Sequence, residues 1–164
     1  MRRAAGFTLI EMVVVVAIVG ILAAAAQPML SLALRRQKEF ELHRALRSLR
    51  VAIDDYHQAA LDGRVARTEG DNAYPPSLEA LVDGVPAAAP TPASTDAPPK
   101  ERRIYFLRSL PRDPFADPSL PAASTWGLRS YDSPPDAPHA GRDVFDVHSL
   151  ATGTALDGQP YRSW

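Results

Sequence analysis

The sequence contains few side chains whose type and spacing fit a catalytic site. Its four histidines are scattered, and no HExxH, GxSxG or phosphate-binding glycine loop accompanies them. Asp54 and Asp55 are neighbours on a predicted helix, so their carboxylates point in different directions and cannot act as a pair. With no cysteine in 164 residues, the chain has no thiol nucleophile, zinc–thiolate site or disulfide. We therefore predict no catalytic residues and a protein that is not an enzyme.

One carboxylate has an unusual setting, because Glu11 stands at the start of a long apolar segment. Residues 12–34 contain no charged side chain, and about 20 apolar residues are enough for a helix to span a membrane. A carboxylate near the bilayer centre costs about 3 kcal/mol, so its presence raises the question of which cation meets it. A secretory signal peptide is a first alternative, since Arg2 and Arg3 precede the segment and small residues at 23–26 could supply a cleavage site.

The helix pattern continues beyond this segment, which a signal peptide would not need. Apolar residues recur at steps of three and four, the period of one helix face. This predicted apolar face consists of Leu42, Leu46, Leu49, Ile53, Tyr56 and Ala60. We predict one long helix with a transmembrane half, residues 7–34, and an amphipathic half, residues 35–62. Pro28 lacks an amide donor and crowds the preceding turn, so it predicts a kink within this helix.

Residues 6–11 (GFTLIE), followed by a valine-rich span, resemble the N-terminal signal of type IV pilins and type II secretion pseudopilins. In that family a prepilin peptidase cuts after the glycine and methylates the new N-terminal residue. The resemblance implies a leader at residues 1–6, cleavage between Gly6 and Phe7, and methylation of the Phe7 amine. It also implies that Glu11 pairs with the Phe7 amine of an adjacent subunit during assembly. An ordinary signal-anchor helix is the alternative.

The remainder of the chain is rich in proline. Fourteen of the 16 prolines lie between residues 75 and 138, which excludes long helices there and favours loops with short strands. We predict a globular head over residues 63–164, with a Pro/Ala-rich insertion at residues 85–99. Residues 125–131 and 144–148 have strand-like composition. A long helix packed on a small antiparallel sheet is an α+β arrangement, and the resemblance implies that it is the type IV pilin-like fold.

Two segments of the head are similar to the major pseudopilin of type II secretion systems. Residues 72–84 resemble the tyrosine-proline and leucine-rich turn after its long helix, with Ser77 as predicted N-cap and Gly84 closing a short helix. Residues 105–115 resemble its leucine-proline-x-aspartate-proline-tryptophan segment, with Phe115 in place of the tryptophan. Residues 161–164 then predict a final short strand or a docked tail.

The resemblance also implies calcium, the one candidate cofactor, because the family's loop after a serine-leucine pair binds this ion. Ser149 and Leu150 match the pair, but Asp157 supplies the only carboxylate in the loop that follows. Calcium normally collects 6–8 oxygen ligands. Asp157 is therefore the candidate ligand, with Asp143 or Asp146 as additional donors, and a plain turn at Asp157 is the alternative.

The resemblance implies a structural subunit of a type II secretion pseudopilus, a homo-oligomeric fibre that drives protein secretion. It places the chain in the bacterial inner membrane as a single-pass protein, with a cytoplasmic N-terminus and a periplasmic head. Its implied partners are prepilin peptidase, other pseudopilins, and the inner-membrane assembly platform with its ATPase. The net charge of −1 argues against nucleic acid as a partner.

Two other functions compete with the pseudopilus. A type IV pilin for adhesion, motility or DNA uptake would carry the same signal, although many such pilins close their C-terminal loop with a disulfide that this chain cannot form. A signal-anchored periplasmic binding module would keep its N-terminal residues instead of losing them after Gly6.

Overall fold

The computed structural model describes residues 6–67, 70–88 and 102–164 of the chain. These residues fall into two units, Met1–Lys38 and Glu39–Trp164. Of the predicted leader, only Gly6 is among the described residues, and positions 89–99 of the predicted insertion lie outside them. The elements are helices α1 (Leu9–Leu61) and α2 (Glu79–Asp83), strands β1 (Val85–Pro86), β2 (Arg103–Ile104), β3 (Trp126–Arg129) and β4 (Asp146–Ser149), and 3₁₀ helices at Ala123–Thr125 and Tyr161–Ser163.

The first unit consists mainly of the N-terminal part of α1, where apolar side chains are exposed. Leu9 is 83% exposed and Ile21 is 70% exposed, although both are large and apolar. This part of α1 is long and apolar enough to cross a membrane, as the sequence predicts. Pro28 lies within the helix, and its carbonyl accepts a hydrogen bond from the Ser31 hydroxyl at 2.9 Å. The kink at Pro28 stays a prediction.

The second unit is organised around the C-terminal part of α1. Every member of the predicted apolar face is buried, which confirms that prediction. Ala45, Ala52 and Ala59 are buried beside it at seven-residue intervals, and their small side chains were not part of the prediction. The face packs against residues from the rest of the head, among them Leu78, Leu81, Trp126, Val144 and Val147.

Two small antiparallel sheets complete the α+β head. Strands β3 and β4 lie within or overlap the two segments predicted as strands, and they pair antiparallel with Trp126 opposite Ser149. Strands β1 and β2 form a second sheet, with Val85 opposite Ile104. The sequence predicted one sheet, and it assigned Val85 to the Pro/Ala-rich insertion. Val85 is buried in the core, so this end of the predicted insertion belongs to the folded head.

The ends of the short elements differ in detail from the predictions. Helix α2 begins at Glu79 with Leu78 at the N-cap and no capping side chain, so the prediction of Ser77 as N-cap is wrong. Leu78 and Leu81 are both buried, and burial of their side chains determines where this single turn begins. Gly84 does end the helix, with a φ of 77° that favours glycine. Residues 161–164 form a docked 3₁₀ turn, one of the two predicted alternatives.

Buried and half-buried polar groups join the segments of the head. Arg50 on α1 donates from Nε to Asp146 Oδ1 at 2.8 Å and from Nη2 to the Val147 carbonyl at 3.0 Å, which attaches β4 to the helix. Asp143, only 3% exposed, accepts hydrogen bonds from three donors. These donors are Asn72 Nδ2 at 2.7 Å, Ser130 Oγ at 3.0 Å and the Tyr131 N–H at 2.8 Å. Hydrogen bonds to a carboxylate are stronger than those between neutral groups, so Asp143 holds the segment around Asn72 to the end of β3.

We expect Gly127→Ala to destabilise the head, because the His148 side chain lies directly over Gly127 in the β3–β4 pair. A Cβ at residue 127 would come 2.7 Å from His148 Cδ2 and closer still to Nε2. Overpacking of this kind costs about 1–3 kcal/mol in the free energy of unfolding, which chemical denaturation would measure. His148→Ala provides the control background, in which the added methyl should cost much less. An equal cost in both backgrounds would exclude the His148 contact as the cause.

The stability of the head should depend on pH through the half-buried side chain of His148. Burial lowers the pKa of His148, and the nearby Asp146 carboxylate only partly opposes that effect. The unfolded state therefore binds a proton more readily, so the stabilisation from neutral His148 is complete above about pH 6.5 and declines as pH falls below it. Between pH 7.5 and 5.5, His148→Gln should lose less stability than the unmodified chain. Equal pH slopes in thermal denaturation would contradict this assignment.

Candidate functional site

The predicted cleavage site lies in exposed, non-helical backbone. Gly6, Phe7 and Thr8 precede the first residue of α1, and Phe7 is 75% exposed. A Cβ placed on Gly6 would meet no heavy atom within 4 Å, so none of the residues described here, its own chain neighbours aside, crowds it. Exposed irregular backbone is the kind of segment that proteases can bind and cut. The Gly6–Phe7 bond therefore lies in backbone that a protease could reach, and cleavage there stays a prediction.

Thr8 determines where α1 begins, a role that the sequence analysis missed. The Glu11 N–H donates to Thr8 Oγ1 at 3.3 Å, and the Met12 N–H donates to the Thr8 carbonyl at 3.2 Å. A threonine followed three residues later by glutamate is the spacing of a capping box, so this signal was available in the sequence. The cap fixes Glu11 in the first turn, where the helix dipole stabilises a negative charge.

The arrangement puts two complementary groups at one end of the same helix. Glu11 carries the carboxylate, and cleavage before Phe7 would create an amine four residues earlier in the chain. Around Glu11 the helix exposes large apolar side chains, such as Ile10 and Val14. In a lipid environment a carboxylate among such side chains needs a cationic partner to offset its loss of water. Each processed chain would therefore carry both an amine and a carboxylate at this end. The Glu11 carboxylate of one chain could then pair with the Phe7 amine of an adjacent chain.

Comparison with known proteins identifies the family. Residues 1–27 match the family described as the prokaryotic N-terminal methylation motif. The chain is also 34% identical, over 120 residues, to type II secretion system core protein G of Aeromonas hydrophila, an alignment that covers 71% of each chain. The chain belongs to the core protein G family of type II secretion systems. No solved structure matches it.

The similarity to core protein G extends well beyond the N-terminal signal, because 120 aligned residues are far more than the 27 of the motif. This confirms the resemblance to the pilin-like superfamily and, within it, to the core G pseudopilins. The α+β architecture, with a long apolar N-terminal helix and small antiparallel sheets, agrees with that assignment. The family name describes a component of a secretion machine and no chemical reaction.

The structure does not assemble a metal cluster from the carboxylates and histidines that it describes. Over residues 6–67, 70–88 and 102–164, no three His, Cys, Asp or Glu side chains lie together so that they could hold an ion. Asp54 and Asp55 are exposed on α1. The predicted processing and assembly residues Gly6, Phe7 and Glu11 lie together at the start of α1, whereas Pro28 lies farther along the same helix.

Asp157, the candidate calcium ligand in the core G resemblance, is exposed at a turn. Its Oδ1 accepts the Gln159 N–H at 2.9 Å, the geometry of an Asx turn. The two additional candidate donors are engaged elsewhere, Asp143 with its three donors and Asp146 with Arg50. The donor set at Asp157 is short of the oxygens that calcium normally collects. Calcium binding at Asp157 stays a prediction.

Proposed function

We propose that this chain is the structural subunit of a type II secretion pseudopilus. It is inserted in the inner membrane, processed by prepilin peptidase, and assembled into a helical periplasmic fibre that drives protein secretion. The observation that carries this proposal is the 120-residue similarity to core protein G, because so long an alignment cannot be accounted for by the N-terminal signal of residues 1–27 alone. A general type IV pilin would share only the signal and the fold.

The exposed backbone at residues 6–8 supports processing between Gly6 and Phe7. Removal of residues 1–6 would leave Phe7 as the new N-terminal residue, only two positions before α1 begins. N-methylation of that amine keeps its positive charge and adds bulk. The peptidase acts on the cytoplasmic side in the resembling family, so the Phe7 end of the helix faces the cytoplasm and the head faces the periplasm.

Pairing between Glu11 and a neighbour's Phe7 amine supplies the assembly step. The cap at Thr8 holds Glu11 one turn into the helix, so its axial position relative to Phe7 is fixed in every subunit. A charge left unpaired in an apolar medium costs free energy, so adjacent helices favour the one axial offset at which Glu11 meets the neighbour's amine. The ion pair thus determines how the subunits align at least as much as it stabilises the fibre. Other pseudopilins, the assembly platform and its ATPase are the partners that such a fibre requires.

The processing step has a direct test in the intact mass of the chain isolated from cells. We expect the mass of residues 7–164 plus one methyl group, because cleavage after Gly6 and methylation of Phe7 occur together. In a strain without prepilin peptidase, or for Gly6→Val, the chain should retain residues 1–6. A wild-type chain that keeps these residues, or that is cut after residue 26 instead, would contradict the proposal.

The assembly role of Glu11 predicts different outcomes for processing and for fibre formation. In a strain that makes no wild-type subunit, Glu11→Val should leave the chain inserted and cleaved but reduce fibre formation about tenfold or more, because the Phe7 amine loses its partner. Val13→Ala is the matched control, since it changes the same exposed turn without removing a charge. Electron microscopy of sheared fibres, with mass analysis of the membrane fraction, measures both effects. Normal fibres from Glu11→Val would exclude the pairing.

A further inference from the structure

The loop after β4 returns to helix α1 and is held there by a glutamate. Glu39 Oε1 accepts the backbone N–H of Leu156 at 3.0 Å and the hydroxyl of Tyr161 at 2.8 Å. The Glu39 side chain thus contacts two points of the loop that lie five positions apart, both more than 110 residues away in sequence. Because the acceptor is an ionisable carboxylate, both hydrogen bonds belong to the stronger, charge-assisted kind.

Aromatic rings extend this attachment on either side of Tyr161. The Tyr161 ring, buried in the core, stacks on Phe115 with centroids 4.4 Å apart and meets Trp164 edge-on at 5.3 Å. Trp164 in turn stacks on His43, one turn after Glu39 on α1, with centroids 3.9 Å apart and an interplanar angle of 18°. The helix therefore contributes a carboxylate and an aromatic ring to the same end of the loop.

Backbone hydrogen bonds within the loop engage three of its carbonyls. The carbonyls of Gly153, Ala155 and Gln159 accept the N–H groups of Tyr161, Gly158 and Ala155 respectively. In addition, a Cβ on Gly153 would come 3.0 Å from the Tyr161 ring, so a longer acidic side chain there would displace the ring. These contacts, with the Asx turn at Asp157, form a closed loop around Tyr161.

These residues do not fit a calcium ion. Among residues 150–164, Asp157 has the single side-chain carboxylate, and one of its oxygens already accepts a backbone N–H. Glu39 Oε1, the other carboxylate oxygen at this loop, already accepts two hydrogen bonds. Strong calcium sites draw on several carboxylates among 6–8 oxygens. The remaining loop side chains with oxygen atoms are neutral, and neutral oxygens offset the dehydration of a divalent cation less well than charged ones do.

We propose that Glu39 closes the C-terminal loop of this subunit by binding Leu156 and Tyr161, in place of the calcium ion implied by its family. The attachment differs in kind from a metal site, because it joins the loop to α1 rather than joining parts of the loop to one another. It requires neither a divalent cation nor a disulfide, and the chain has no cysteine. This inference concerns the folded head alone and does not depend on the fibre that the chain forms.

The test uses the full chain in detergent and measures amide hydrogen exchange of the loop after β4 by mass spectrometry. Glu39→Ala should speed exchange at Leu156 about tenfold or more, because a hydrogen bond to a charged acceptor is lost. Glu39→Gln keeps an acceptor oxygen and should retain part of the protection. Tyr161→Phe keeps the aromatic stack, removes only the hydroxyl and should loosen the loop to a smaller degree. Glu41→Ala, which removes an exposed carboxylate from the same helix, is the matched control and should leave the loop unchanged.

Calcium provides the opposing measurement on the same preparations. Millimolar calcium or a chelator should leave both the melting temperature and the loop exchange of the wild-type chain unchanged, since an ion bound to the folded state would raise its stability. Two results would overturn the proposal. One is calcium-dependent protection of the loop that Asp157→Asn abolishes, and the other is a loop in Glu39→Ala that exchanges as slowly as in the wild type. Intact-mass analysis of processing tests the pseudopilus function separately.

Discussion

Burial of the apolar face of α1 is the contact on which the head of this protein depends. The two sheets consist of strands of two to four residues, and isolated two-stranded sheets of this size are marginally stable in water. They persist because Trp126 and Val147 pack into the same cluster as Leu46 and Ile53 of the helix. The same helix exposes apolar side chains along its N-terminal part, which is long and apolar enough to cross a membrane. The two parts of one helix therefore differ in what their apolar side chains need as surroundings.

The sequence was sufficient for the parts of the fold that local periodicity encodes. Steps of three and four residues along α1 predicted its buried face, and the strand-like composition of two late segments predicted β3 and β4. Val85 was misassigned because its surroundings are low in complexity, whereas its partner Ile104 lies 19 residues away. The Ser77 cap failed for a related reason, since burial of Leu78 outweighed the propensity of a nearby serine. Both errors arise where tertiary packing overrides a local signal.

In the candidate site, too, local signals could be recognised in the sequence and long-range contacts could not. The signal at residues 6–11 is contiguous, so the family resemblance could be stated from the sequence, and the cleavage, methylation and assembly roles that it implies stay predictions. The Thr8 cap could also have been predicted from the spacing of Thr8 and Glu11. The contact from Glu39 to Leu156 could not be predicted, because nothing in either segment specifies a partner 117 residues away. Family resemblance suggested a metal at that loop. The side chains of this chain provide a carboxylate from the helix instead.

The position of Asp143 affects how the connection between β3 and β4 unfolds. Its carboxylate draws hydrogen bonds from Asn72 on one side and from Ser130 and Tyr131 on the other, so it joins the segment after α1 to the end of β3. Ser133 adds a local bond by accepting the His139 N–H within the connection to β4. Proline-rich connections usually form the least protected regions of a domain. Here the connection shares its anchor with the sheet, so we expect its protection from hydrogen exchange to follow that of the β3–β4 pair.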